Sequence, residues 1–148
     1  MRFGFGMEFF DVLVRYEVDL WAFVDDGLQR RGLISAAQLQ ALDVLSGRAG
    51  TGRVQDVSGG IGITVGAASK LVDRLERDGL VERRPNPSDR RSSLVVLTEA
   101  GQAAFHAATR ARAALLDAVL EPDAVRAALI ALKSLQAWLD QTRTAEIA

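Results

Sequence analysis

No cysteine occurs in the 148 residues, which excludes disulfides, thiolate metal sites and thiol-based redox sensing. Histidine is nearly as scarce. His106 stands alone, so an all-nitrogen zinc site within one chain has no ligands. No run of 18 apolar residues exists, and no segment reads as a membrane span. No glycine-rich phosphate loop of the required spacing is present, and the carboxylates show no pattern of a buried acid/base pair. An enzyme reading therefore has nothing to stand on. Neither charge sign dominates either: the net charge is −1, which argues against a chain held on nucleic acid by bulk charge alone.

The length suits one domain, or one compact unit with a small appended module. A chain of this size buries roughly 68–70% of its unfolded surface and needs no cross-link or metal to fold. The opening Met1 to Met7 has the look of a signal start, but Glu8 and Asp11 interrupt it before any cleavage site. Residues 1–7 are read as a loose tail on a cytoplasmic protein. Charge is distributed unevenly. Residues 53–97 hold eight Arg or Lys against six Asp or Glu, while the remainder carries ten against thirteen. Basic charge thus gathers in the middle of the chain.

From Glu8 to Arg31, Phe9, Leu13, Tyr16, Leu20, Phe23 and Leu28 recur at helical spacing, with Phe10, Val14, Trp21 and Val24 on a second side. A helix apolar on two sides needs covering on two sides. Gly32 closes it. Ser35-Ala-Ala-Gln38 is a capping box that opens a second helix through Leu45. A third, short helix is expected from Arg53 to Ile61 with Thr51 as its cap. Its Gly59-Gly60 pair weakens it by about 0.8–1 kcal/mol per glycine relative to alanine. Gly62-Ile63-Thr64 forms a tight turn, and Thr64 caps a fourth helix that ends at Gly79. Its apolar residues Ala68, Leu71, Val72 and Leu75 share one face. Ser69, Lys70, Asp73, Arg74 and Arg77 lie elsewhere on the cylinder.

Leu80 to Arg84 and Ser93 to Leu97 are β-rich runs around the turn-forming segment Pro85-Asn-Pro-Ser-Asp-Arg-Arg91, which predicts a hairpin with a long charged tip. Thr98 caps a fifth helix to about Leu120, and Pro122 opens a sixth in which Val125, Leu129, Leu132, Leu135 and Leu139 keep helical spacing. The fold class is therefore mainly α with a small β-hairpin wing.

The order of helix, tight glycine turn, helix and hairpin is that of a winged helix-turn-helix, and its residues resemble the MarR family of bacterial regulators. The matching stretches are Ile34 to Leu45, Leu71 to Arg91, and Val96-Leu-Thr-Glu-Ala-Gly101. The run from Leu71 to Arg91, followed by Leu97-Thr98-Glu99-x-Gly101, carries most of the specificity. Two departures stand out. Gly59 and Gly60 replace helix-forming polar residues, which predicts a frayed or shortened supporting helix. Arg53 stands where a capping Ser or Thr is expected.

The resemblance implies a homodimeric, sequence-specific regulator of duplex DNA, a ligand-responsive repressor on a pseudo-palindromic operator. It places residues 34–98 in the winged helix-turn-helix DNA-binding region, and residues 8–31 and 99–148 in a helical dimerisation region. A major groove admits one α-helix. Thr64, Gly66, Ala67, Ser69, Lys70 and Arg74 are the expected contacts from the fourth helix, although the same charges also suit a solvated face. At the hairpin tip the resemblance makes Arg91 the minor-groove inserter, Arg90 a phosphate contact and Asp89 the acceptor that orients a neighbouring arginine. Arg83 and Arg84 add phosphate contacts at the hairpin base. A merely charged, solvated loop is the plainer alternative. Phe9, Phe10, Leu13 and Tyr16, with Leu129, Leu132, Leu135, Trp138 and Leu139, are the expected dimer interface, against packing within one chain. A small aromatic or phenolic effector is expected beside Trp21, Phe23 and Leu42, residues that also suit an ordinary core. A lone histidine such as His106 is more often packed or at a solvent edge than a metal or pH site. No cofactor and no metal are expected. The competing function is a dimeric winged-helix interaction or ligand-sensing module without DNA.

Overall fold

Local caps decide where each helix starts and stops. The computed structural model describes residues 3–89 and 92–147. In chain order it forms α1 (Phe3–Gln29), α2 (Ala36–Ser46), β1 (Thr51–Gly52), α3 (Val54–Ile61), α4 (Val65–Arg77), β2 (Val81–Pro85), β3 (Ser93–Leu97), α5 (Glu99–Val119) and α6 (Pro122–Ile147). Gly32, with φ +67°, ends α1, and the Leu33 amide reaches back to the Leu28 carbonyl, the expected left-handed termination. Ser35 and Gln38 make the reciprocal capping box at α2. Thr64 Oγ1 accepts the Ala67 amide at 3.2 Å and caps α4.

Residues 1–113 form one compact unit and residues 114–148 a second. In the first, Leu28 of α1 joins Leu39, Leu42 and Leu45 of α2, Val57 of α3, Val72 and Leu75 of α4, Val81 of β2 and Val95 of β3 as fully buried side chains. Burying each Leu or Val stabilises the fold by about 1.5–3 kcal/mol. The sheet is antiparallel in the order β1-β3-β2, with Val81 opposite Leu97, Arg83 opposite Val95 and Pro85 opposite Ser93. In the second unit Glu121 accepts the amides of Asp123 and Ala124 and so caps α6. No helix among the described residues is long and apolar enough to cross a membrane.

Three expectations need correcting. Residues 3–7 are not a tail but the first turns of α1, because neither proline nor a capping side chain halts the helix before Phe3 and each added residue gains a backbone hydrogen bond. Thr51 does not cap α3. It pairs with Val96 in a two-residue third strand, and the start of α3 is satisfied from the other side, by Asp56 accepting the Arg53 amide at 2.7 Å. Arginine has no acceptor to offer at that cap. The diglycine does not fray α3, which runs unbroken to Ile61. Gly60 lies against α2, where a Cβ would stand 2.6 Å from Val44 Cγ2, whereas Gly59 faces open space. One glycine of the pair is thus required by helix–helix approach and the other is not.

Candidate nucleic-acid interface

The turn between α3 and α4 is tied by one serine. Ser58 Oγ donates to the Ile63 carbonyl at 2.6 Å, its own carbonyl accepts from Gly62 and Ile63, and Gly62 takes φ +80°. This fixes the direction in which α4 leaves α3. Along α4, Ala68, Leu71, Val72 and Leu75 are buried against the core. The opposite side presents Thr64, Gly66, Ala67, Lys70, Asp73, Arg74 and Arg77 to solvent, with Ser69 half-buried. A Cβ at Gly66 would meet nothing, so no packing demand explains the glycine there.

The charges of this helix are sorted by the wing. Arg83 of β2 places one guanidinium nitrogen 2.6 Å from Asp73 Oδ1 and another 2.5 Å from Glu76 Oε2, and its backbone amide donates to Glu76 Oε1 at 3.2 Å. Its hydrogen bond to Asp73 and its attraction to both carboxylates raise its already high pKa further against desolvation. Asp78 accepts from Gln38 Nε2 at 2.9 Å. The carboxylates in and just after α4 are therefore engaged, while Lys70, Arg74 and Arg77 take part in no ion pair among the described residues. A phosphate approaching α4 meets cations whose acidic neighbours are already held. Arg83, expected as a phosphate contact, instead clamps the wing to α4. Arg84 is exposed and pairs with Glu82.

The hairpin tip folds on itself. Asn86 Nδ2 donates to Ser92 Oγ at 2.9 Å, its Oδ1 accepts the Ser88 amide, and the Asp89 carbonyl accepts the Ser92 amide. Asp89 is solvent-exposed. Arg90 and Arg91 lie outside the described residues. At the wing's base Thr98 does two jobs: its hydroxyl donates to the Gly79 carbonyl at 2.8 Å and accepts the Gly101 amide at 3.0 Å. A Cβ on Gly101 would fall 1.9 Å from the Leu80 carbonyl oxygen. The Thr98-Glu-x-Gly101 signature is thus an architectural lock between wing, α4 and α5.

A family model described as MarR family matches residues 27–92, the stretch from the end of α1 through β2 to the residue before β3. Over that stretch the chain is similar to the MarR family. Among curated proteins it is 30% identical over 104 residues to an uncharacterized HTH-type transcriptional regulator, YfiV, of Bacillus subtilis, covering 64% of this chain and 65% of that one. The chain thus spans just under two thirds of that relative's length. Among solved structures, the MarR family transcriptional regulator Sco5413 of Streptomyces coelicolor superposes with a TM-score of 0.79 at 25% identity over 92% of this chain and 96% of that one. A mutant MarR from Escherichia coli complexed with operator DNA gives 0.72 at 25% identity over 84% and 91%.

Outside α4 the chain leaves much apolar surface uncovered. In α1, Phe9, Phe10 and Tyr16 are exposed, and Leu13 is half-buried. In α6, Leu129, Leu132, Leu135, Trp138 and Leu139 are exposed, and so is Ile130, which helical spacing alone did not single out. A groove of about 470 Å³ in the first unit is lined by Glu17, Val18 and Trp21 of α1, Gln40 of α2, Ile63 of the turn and Leu71 of α4, among others. Of the three residues expected to line an effector pocket, Trp21 does so. Leu42 is wholly inside the core, and Phe23, half-buried on another side of α1, is not among the groove's walls. Position along a helix does not tell which side packs inward, and α1 is apolar on two. His106 is exposed and shares a 2.8 Å hydrogen bond with Gln102. No group of three metal-ligating side chains exists among the described residues.

Proposed function

We propose that this chain is a sequence-specific duplex-DNA-binding regulator of transcription. It acts in the cytoplasm as a homodimer on a pseudo-palindromic operator and represses until a small effector releases it. The observation that carries the reading is the pattern on α4. Lys70, Arg74 and Arg77 are exposed and take part in no ion pair among the described residues, while Arg83 holds Asp73 and Glu76. An α-helix fits one B-DNA major groove, and its cations reach phosphates and guanine edges. In the sequence, Arg90 and Arg91 fall between β2 and β3, and an arginine suits the negative potential of a narrow minor groove. Support also comes from the structurally similar E. coli MarR complexed with operator DNA.

Dimerisation is supported by the exposed apolar residues of α1 and α6, which a second copy would bury. Helix-turn-helix dimers read half-sites about 34–36 Å apart, or multiples of that.

The test is a fluorescence anisotropy titration with DNA from the chain's own upstream region against random DNA at several salt concentrations. Preference for the upstream DNA is expected, with log affinity falling against log salt by about 0.9 per phosphate neutralised. Arg91→Ala should weaken upstream binding with the fold intact. Equal affinity for both DNAs at moderate salt would return the chain to the interaction-module reading.

A further inference from the structure

The groove beside Trp21 is built for one sign of charge. Its walls are mostly apolar, with Val18, Trp21, Ile63 and Leu71 among them, and its two polar groups are the Glu17 carboxylate and the Gln40 amide. That composition, an apolar cleft with few convergent polar groups, is the usual form of a small-molecule site. Neither polar group is satisfied internally: among the described residues Glu17 and Gln40 take part in no side-chain hydrogen bond or ion pair. Trp21 remains 39% exposed, so its ring is open to a ligand. No Lys, Arg or His lines the groove.

An unpaired carboxylate four residues before an accessible tryptophan lies on the same side of α1. Together they offer a negative charge and the negative face of an indole to whatever enters. An organic anion there meets repulsion and no cation. An organic cation with an aromatic or alkyl body meets a counter-charge, a ring face and an apolar floor. We propose that this groove takes an aromatic or quaternary organic ammonium cation, and that its occupancy controls DNA binding. The second half rests on the regulator reading. Ile63 and Leu71, on the groove's floor, belong to the turn and to the inner side of α4, whose outer side carries Lys70 and Arg74. A ligand wedged between these residues and α1 therefore presses on the helix that would enter the major groove.

The test uses the full-length Trp138→Phe variant, in which Trp21 is the sole tryptophan of the two. Trp21 emission is followed against phenyltrimethylammonium, its neutral isostere tert-butylbenzene, and salicylate. The cation should saturate the signal with an affinity about fivefold or more above that of the neutral isostere, and salicylate should bind most weakly. Glu17→Gln should bring the cation down to the level of the neutral isostere. The same ranking is expected by calorimetry on the wild-type chain, which guards against any disturbance from the Trp138 change. Salicylate binding as tightly as the cation, an unchanged preference in Glu17→Gln, or no saturable change with any probe would each overturn the ligand class. A bound cation that leaves affinity for the upstream DNA unaltered would overturn the regulatory link. Absence of DNA binding without any ligand would sink the regulator reading instead, while the Trp21 titration still decides the site.

Discussion

Two helices of this chain, α4 and α6, meet solvent in opposite ways. α4 buries all four residues of its apolar stripe, Ala68, Leu71, Val72 and Leu75, and turns its cations outward. α6 leaves Leu129, Ile130, Leu132, Leu135, Trp138 and Leu139 exposed, Trp138 at 66%. The first helix keeps its apolar residues inside one chain and its cations at the surface. The second carries a contiguous apolar surface of the kind that marks an interface. Under the proposed function, the contrast separates what a single copy would do alone from what would need a second copy.

The sharpest way to break that contrast is to spoil α6 and leave α4 alone. The double change Leu132→Glu with Leu135→Glu should give a monomer in sedimentation equilibrium. It should also lower apparent affinity for the upstream DNA by about 10²–10⁴-fold, the scale lost when two linked sites become one. A monomer with undiminished DNA affinity would mean that α4 and the wing need no second copy. Next in size is Gly101→Ala. Its new methyl collides with the Leu80 carbonyl, and a loss of about 2–4 kcal/mol in denaturant titrations is expected, with the oligomeric state retained in whatever remains folded. Arg74→Ala should leave stability untouched and weaken upstream DNA binding about tenfold in anisotropy titrations. The smallest effects test the packing behind α4. Gly60→Ala should cost about 1–2 kcal/mol against Val44, while Gly59→Ala, facing open space, should gain about 0.5–1 kcal/mol. Equal shifts for the two in thermal melts would remove the distinction drawn between them.

Much of the frame was legible because its signals are local. Ser35, Gly32, Thr64 and Gly79 act within a turn of their own position, so their residue type announces the cap or the reversal. The burial of Leu71, Val72 and Leu75 follows from helical spacing in the same way. What stayed hidden depends on residues far apart in the chain. β1 is two residues long and exists only by pairing with Val95 and Val96. Gly60 looked like a weakness until Val44, sixteen positions earlier, came against it. Arg83 carries the same charge as Arg84, but only the fold brings Asp73 and Glu76 to it. The same holds for the groove, where Glu17 and Trp21 of α1 meet Ile63 and Leu71 from the reading motif. Thr98 and Gly101 were recognisable as a signature, but only the fold shows them joining the wing to Gly79 and the start of α5.

The most direct test of the central claim is methylation interference on the upstream DNA. Guanine N7 lies in the major groove, so a methyl there obstructs an entering helix. Interference is expected in two tracts whose centres lie about one helical turn apart or a multiple of it, and it should weaken with Lys70→Ala or Arg74→Ala. Binding that tolerates methylation throughout the site would contradict the claim that α4 enters the major groove.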